Sequence, residues 1–274
     1  MSIIKTKLNI GVESPFSVIH ITDTHLTYAD LRDGERKVLL SERRKQSFPD
    51  AEQMLKTASD LAKEKGIPIL HTGDLLDFVS LANLERVKQF THENDCFATA
   101  GNHEFSLYVG EAKEDAAYRN QSLPAVQAAF KNDIRMASRI IGGVNFVALD
   151  NGYYLFDADQ LSFLKNEAQK GLPMVLMMHT PLYEEKLFSL RTQNRPVAFL
   201  AGVPEHLMGE YPPSRFEQQL ADEITRETLE YIQNETLIKA ILAGHIHHNY
   251  EGIFGNRIPQ ITTSLSDVRL IEFS

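Results

Sequence analysis

Short apolar runs that stop abruptly at a polar turn recur along the chain. They alternate with longer stretches in which apolar residues return every three or four positions. The short runs predict strands at 17–22, 67–72, 95–100, 134–141, 144–149, 173–178 and 237–243, with 8–10 able to pair beside the first. The longer stretches predict helices. Asp50 can cap one, with Gln53 three residues on, a stripe of Met54, Leu55, Ala58, Leu61 and Ala62, and Gly66 to end it. Ser80 opens a second, with Leu81, Leu84, Val87 and Phe90 inward, and one or two more fill roughly 111–131. Asp157 and Gln160 open a helix that closes at Gly171, and Ser214 with Glu217 carries a capping-box signature for one reaching about Asn234. Gly142-Gly143 reads as a hairpin turn, and the tail at 248–273 alternates like strands about Gly255-Asn256 and Ser264 to Ser266.

Two stretches break this rhythm. Residues 26–48 carry many charges and little periodicity, which reads as a solvated loop with some helix, or as a rim offering cations to a phosphate-bearing substrate. Residues 182–213 are long, punctuated by proline and without clear period, as functional loops in compact domains tend to be. Strands alternate with helices in the first half, and antiparallel pairs follow. That order predicts an α/β protein with one mixed sheet or two packed sheets and helices outside.

Composition narrows the picture only a little. With 274 residues, 43% of them hydrophobic, the chain can build a full core, and one domain spanning 1–274 is the expectation. A formal charge of -9 argues against nonspecific binding to nucleic acid or an anionic membrane. The single cysteine, Cys96, excludes an intrachain disulfide framework, fits a reducing compartment, and sits in an apolar run as a buried structural thiol. No stretch approaches the ~18 apolar residues of a membrane span, so a cytoplasmic protein is expected.

The chemistry lies where the predicted strands end. Asp23-Thr24-His25, Gly73-Asp74, Gly101-Asn102-His103, His179-Thr180-Pro181 and Gly244-His245-Ile246-His247 each follow an apolar run. In an extended segment residues i and i+2 point the same way, so Asp23 with His25, and His245 with His247, can each grip one ion. Together these clusters supply too many oxygen and nitrogen ligands for one tetrahedral zinc, and about enough for two adjacent divalent ions sharing a carboxylate. His20 and His71 within strands and His92 on a helix face read as structural, and His248 extends the last cluster by one residue.

These five motifs, with Leu75, Leu76 and Asp77 completing the second and Glu104 the third, resemble in order those of the calcineurin-like metallophosphoesterase superfamily, from 17 to about 270. The resemblance implies a four-layer αββα sandwich of two mixed β-sheets flanked by helices, with 26–48 and 182–213 as insertions. It implies two divalent or mixed-valence ions, Mn, Fe, Zn or similar, with Asp23, His25 and His247 on one, Asn102, His179 and His245 on the other, and Asp74 bridging. His103 matches the family's catalytic histidine and Asp77 the acid that orients it. The implied activity is hydrolysis of a phosphate ester by a hydroxide shared between the metals. The sequence departs at Phe78, where the protein phosphatase branch has a phosphate-gripping Arg. That departure favours a small-molecule phosphodiesterase, cyclic nucleotides included, over a phosphomonoesterase acting on nucleotides or phosphoproteins, with a nuclease or a non-catalytic scaffold further behind. Tyr183, Arg191, Arg195, His206, Tyr211 and Arg215 are the candidate substrate contacts in the long insertion.

Overall fold

A computed structural model describes residues 2–274 apart from 112, 113, 194 and 196. In the first half of the chain come β1 (Ser2–Leu8), β2 (Phe16–Ile21), α1 (Glu35–Lys45), α2 (Ala51–Lys65), β3 (Ile69–Thr72), α3 (Leu81–Glu93), β4 (Cys96–Thr99) and α4 (Ala116–Gln127). In the second half come β5 (Met136–Ile141), β6 (Val144–Leu149), α5 (Ala158–Ala168), β7 (Met174–Met177), α6 (Glu185–Thr192), α7 (Pro213–Gln219), α8 (Glu223–Asn234), β8 (Ile238–Ala243), β9 (Tyr250–Phe254), β10 (Ile258–Thr262) and β11 (Asp267–Phe273).

The strands form two mixed sheets, ordered β1-β11-β2-β3-β4 and β5-β6-β7-β8-β10-β9. Period-two alternation explains how they stack. In β2, Ile19 and Ile21 pack beneath α2 with Met54, Leu55 and Ala58, while Val18 turns the other way. Val18, Leu70 and Phe97 of the first sheet meet Phe146, Val175 and Leu242 of the second in an inner core. On the far face of the second sheet, Leu164 of α5 and Ile232 of α8 cover Val147, Leu176 and Ile241. The order helix, sheet, sheet, helix is therefore the αββα sandwich.

Several elements start and stop where local chemistry dictates. Ser80 caps α3 by accepting from the Asn83 N–H at 3.0 Å, a bond worth about 1 kcal/mol. Asp157 and Gln160 close a full capping box on α5. Gly142 and Gly143 both take positive φ, as the two-residue turn between β5 and β6 requires.

Residues 26–48 are loop with some helix, as expected: a short 3-10 turn at Leu31–Asp33 and the eleven-residue α1, of which only Leu40 is buried. Three expectations need correction. Asp50 precedes α2 but makes no side-chain cap bond. The helix expected from Ser214 to Asn234 is two: α7 starts at Pro213 without a side-chain cap and ends at Gln219, and Asp222 caps α8 by accepting from the Thr225 N–H at 2.7 Å. Finally, the described residues of 182–213 form α6, a 3-10 turn at Glu205–Glu210 and an apolar cluster of their own. Leu187, Leu200, Val203 and Met208 there pack with Ile246 and Tyr250, so the insertion is seated on the His245–His247 loop.

Candidate metal centre

Strands β2, β3 and β4 run parallel, as do β6, β7 and β8, so the loops after β2, β3, β4, β7 and β8 can gather at one end of the sandwich. Backbone bonds tie these loops together: Asp23 N–H donates to Gly73 O at 3.0 Å, His25 N–H to Asp74 O at 2.8 Å, and Gly244 N–H to His179 O at 2.8 Å. The chain turns sharply there. Asp23, His25, Asp74, His245 and His247 all have φ between 51° and 65°, a left-handed conformation that costs non-glycine residues of order 1–3 kcal/mol each. Two glycines allow the close approach. A Cβ on Gly101 would lie 2.3 Å from Asp74 Oδ1, and one on Gly244 would lie 1.9 Å from Thr22 Oγ1.

Ligand-type atoms of Asp23, His25 and His247 lie within 4.8 Å of one another, as do those of Asp74, His179 and His245. His25 Nε2 is 3.2 Å from His247 Nε2 and 3.6 Å from Asp74 Oδ2. His179 Nε2 is 3.1 Å from Asp74 Oδ2 and 3.2 Å from His245 Nδ1. Tautomers follow from the outer bonds. His25 Nδ1 donates to Asp77 Oδ1 at 3.0 Å and His179 Nδ1 to Thr72 O at 2.8 Å, which leaves both Nε2 lone pairs facing the cluster. Burial holds His25 below the usual histidine range and His245 down at about 3. At His179 burial is outweighed by the carboxylates of Asp74 and Asp23, which raise it to about 9, the charge that a bound cation would take over. Asn102 adds a donor: its Oδ1 is buried without a hydrogen-bond partner beside Asp74 and His245 in the same cavity. An orphaned amide oxygen, two carboxylates and four imidazoles fit a pair of divalent ions.

His103 also brings a nitrogen within 4.8 Å of His25 and Asp74, but its Nδ1 donates to Asp77 O at 2.7 Å, with Asp77 Oδ1 at 3.2 Å. Burial works against its charged ring, yet the carboxylates of Asp74 and Asp77 outweigh it and raise the pKa to about 10. Asp77 itself is fully buried. Desolvation opposes its charge, but bonds from Arg44, His103 and His25 hold it well below the usual carboxylate range. Arg44 of α1 grips it with Nε at 2.7 Å and Nη2 at 2.8 Å.

Two contributors escaped the sequence reading. Arg44 stood in a charged stretch with nothing local to single it out. Glu104 was seen only as the end of a motif. Its buried carboxylate accepts from the N–H groups of Asp74 at 2.8 Å, Leu75 at 2.7 Å and Gly101 at 2.7 Å, pinning two of the five loops to each other. The signal was its place three residues after Gly101.

The remaining candidates fall elsewhere. Phe78 is wholly buried and contributes nothing to the cavity. His20 is bonded to Thr72 and Thr263, His71 to Thr24 and the Gly73 N–H, and His92 is exposed on α3. The cation rim is corrected as well. Arg32 closes on Asp30 and Glu85, Arg36 on Glu111 and Arg44 on Asp77, and no residue of 26–48 lines the cavity at the cluster. Of the contacts proposed in the insertion, Arg191 and Arg195 line that cavity. Tyr211 is buried with its hydroxyl donating to Ala198 O, Arg215 pairs with Glu114, His206 is exposed, and Tyr183 packs against Phe188.

Two mixed sheets between helices, with acidic and imidazole loops converging at one end, define a metallohydrolase of the αββα type. The chain belongs to the calcineurin-like phosphoesterase family, whose sequence profile matches residues 16–249, and it is a hydrolase acting on phosphoric ester bonds. The family uses a dinuclear metal centre. No curated protein matches the chain. Among solved structures it is similar to a dimetal phosphatase from Danio rerio, at 13% identity and TM-score 0.50, covering 91% of this chain and 87% of that one. It is also similar to the phosphopantetheinyl hydrolase of Mycobacterium tuberculosis, at 9% identity and TM-score 0.44 over 91% and 90% of the two chains. A 5'-nucleotidase from Candida albicans aligns at 15% identity and TM-score 0.40, over 91% of this chain and 46% of that one. Among the described residues, no helix is long and apolar enough to cross a membrane.

Proposed function

We propose that the chain is a metal-dependent phosphodiesterase for small molecules, cyclic nucleotides being within that class. The observation that carries this reading is that, among the described residues, the turn from Gly73 to Phe78 carries no free guanidinium of its own. Phe78 is buried in the core, and Arg44, the cation nearest that turn, is bonded to Asp77. A dianionic monoester would find no bidentate partner on that turn, whereas a monoanionic diester needs it less. The guanidinium groups that do line the cavity, Arg191 and Arg195, come from the 182–213 insertion. The cavity at the cluster, about 470 Å³, has the size of a small-molecule site.

In this reading Asp23, His25 and His247 would hold one ion and Asn102, His179 and His245 the other, with Asp74 contributing its carboxylate to the pair. When bound, the pair supplies a water activated at neutral pH and charge to neutralise the phosphoryl oxygens. The chain's own residues do the rest. The Asp77 carbonyl and carboxylate fix the His103 tautomer, and His103 Nε2 carries a proton to the leaving oxygen. Arg44 and His25 hold Asp77 in place. The span 1–274 acts as one domain, with 26–48 and 182–213 as insertions, and its acidic balance and lone buried cysteine fit a cytoplasmic setting.

A panel of bis-p-nitrophenyl phosphate, p-nitrophenyl phosphate, cyclic nucleotides and DNA, each with Mn, tests the reading. A higher kcat/KM on the small diesters supports it. Preference for p-nitrophenyl phosphate would replace it with a phosphomonoesterase.

A further inference from the structure

The 182–213 insertion brings two arginines to the same cavity as the metal cluster. Arg191, in the last turn of α6, and Arg195 just beyond it line that cavity opposite Asp74, Asn102 and His103. They also line a recess of about 40 Å³ that continues from it beneath Val197, Ala198 and Phe199. Arg32, Arg44, Arg86 and Arg139 each close on a carboxylate. Among the described residues, neither Arg191 nor Arg195 has one.

The fold nevertheless holds the two cations together. Leu187, one helical turn before Arg191, is buried in the insertion's apolar cluster, which fixes the end of α6. Arg191 Nη1 lies 3.0 Å from His248 Nδ1, a nitrogen that also lies 3.0 Å from Ile246 O, so the arginine stands beside the His245–His247 loop. Partial burial and the charge of Arg195 both lower the pKa of Arg191, the direction expected of like charges with no anion between them. The groups that line the cavity with the pair are His245, His247, His248, Ser264 and Ser266, and the acid among the lining residues, Asp74, belongs to the metal cluster.

We propose that Arg191 and Arg195, assisted by His248, form a subsite for a second phosphate of the substrate, separate from the phosphate being hydrolysed. Guanidinium matches phosphate geometry in paired N–H bonds, and a cavity of about 470 Å³ has room for a molecule carrying two such groups. The substrate class is then a phosphodiester bearing a further phosphate at some remove from the scissile bond. This rests on the phosphodiesterase reading above and refines it.

The test compares two dinucleotides on the Mn-loaded enzyme: ApA, with one phosphodiester, and pApA, which adds a 5'-phosphate. Adenosine and AMP released are followed by chromatography. The expected kcat/KM ratio of pApA to ApA is roughly tenfold to a hundredfold, the range of one or two charge-assisted hydrogen bonds. In the double variant Arg191→Gln/Arg195→Gln the ratio falls toward one, and in Arg191→Lys/Arg195→Lys it falls part of the way. A ratio near one in the wild type, or an unchanged ratio in the glutamine variant, overturns the proposal. If neither dinucleotide is cleaved, the diester reading fails by itself, and AMP against adenosine 3',5'-bisphosphate decides the subsite by the same ratio and variants. Calorimetric titration with pyrophosphate and orthophosphate gives a readout without turnover. Tighter pyrophosphate binding that is lost in the glutamine variant supports the subsite, and equal loss for both ions refutes it.

Discussion

Arg44→Met separates a local role for this side chain from one that reaches the reaction. Methionine keeps an apolar stem where Arg44 lies 5.0 Å from the Phe48 ring, and removes the two bonds to Asp77 at 2.7 and 2.8 Å. A hydrogen bond between charged groups contributes about 1.5–3 kcal/mol net, and removing one partner of a fully buried ion pair costs about 3–5 kcal/mol. Here the arginine side chain is 23% exposed, and Asp77 keeps its bonds from His25 and His103, so solvent and the remaining donors absorb part of the loss. About 2–4 kcal/mol of destabilisation is expected, read as a lower urea midpoint with an unchanged m-value. The functional effect is separate. With one side of Asp77 released, its carboxylate moves toward His25 and His103 and shifts the His103 ring, and misplacement of about 1 Å can cost ~10²-fold in rate. The expected result is a fall in kcat on bis-p-nitrophenyl phosphate of roughly tenfold to a hundredfold with little change in KM. A double-mutant cycle with Asp77→Asn isolates the pair. In the asparagine background, Arg44→Met should cost under about 0.5 kcal/mol, because the charge it served is gone. Additive losses in the cycle, or an Arg44→Met enzyme with wild-type midpoint and kcat, would refute the chain from Arg44 through Asp77 to His103.

Three further outcomes follow from the same geometry. Asp74→Asn should lose bound metal, measured by mass spectrometry of the dialysed protein, together with activity, while His103→Ala should keep its metal and lose ~10²–10⁴-fold in kcat; a fully active alanine variant removes His103 from the chemistry. Gly244→Ala places a methyl 1.9 Å from Thr22 Oγ1 and 2.6 Å from Asp23 Oδ2, so a loss of about 1–3 kcal/mol in unfolding free energy and weakened metal retention are expected. Cys96 is buried, and burial with the neighbouring Asp95 charge pushes its thiol up to about 12. Below pH 9 the native thiol should therefore carry roughly a thousandfold less thiolate than an unfolded one, and should react with a disulfide reagent only as the protein unfolds.

Strands β3, β4, β7 and β8 were legible because they are almost wholly buried and run into glycine or proline. By contrast β1, exposed along most of its length, lies at Ser2–Leu8 beside β11 and not at 8–10 beside β2. Asp23, Asp74, Asn102, His179 and His245 follow such strands directly, which is why the set that converges in the structure could be assembled from sequence order alone. Helix α1 left no such trace. It buries only Leu40 and is held to the body by Arg36 to Glu111 and Arg44 to Asp77, pairs separated by 75 and 33 residues. An ion pair at that separation has no period and no spacing, so the stretch reads as solvated charge even though one of its arginines supports the site. The long insertion was opaque for a related reason. Its apolar residues pack on one another and on Ile246 and Tyr250, not along one helix face, so they cluster in space without a repeat in sequence. That packing ties the two functional parts of the insertion to each other. The cluster that seats it on the His245–His247 loop also fixes the end of α6, and so sets where Arg191 and Arg195 stand relative to the metals. If the proposed subsite holds, substrate selection and metal binding would rest on one small core, and Leu187→Ala, a change inside that core, should both lower the pApA to ApA ratio and weaken metal retention on dialysis.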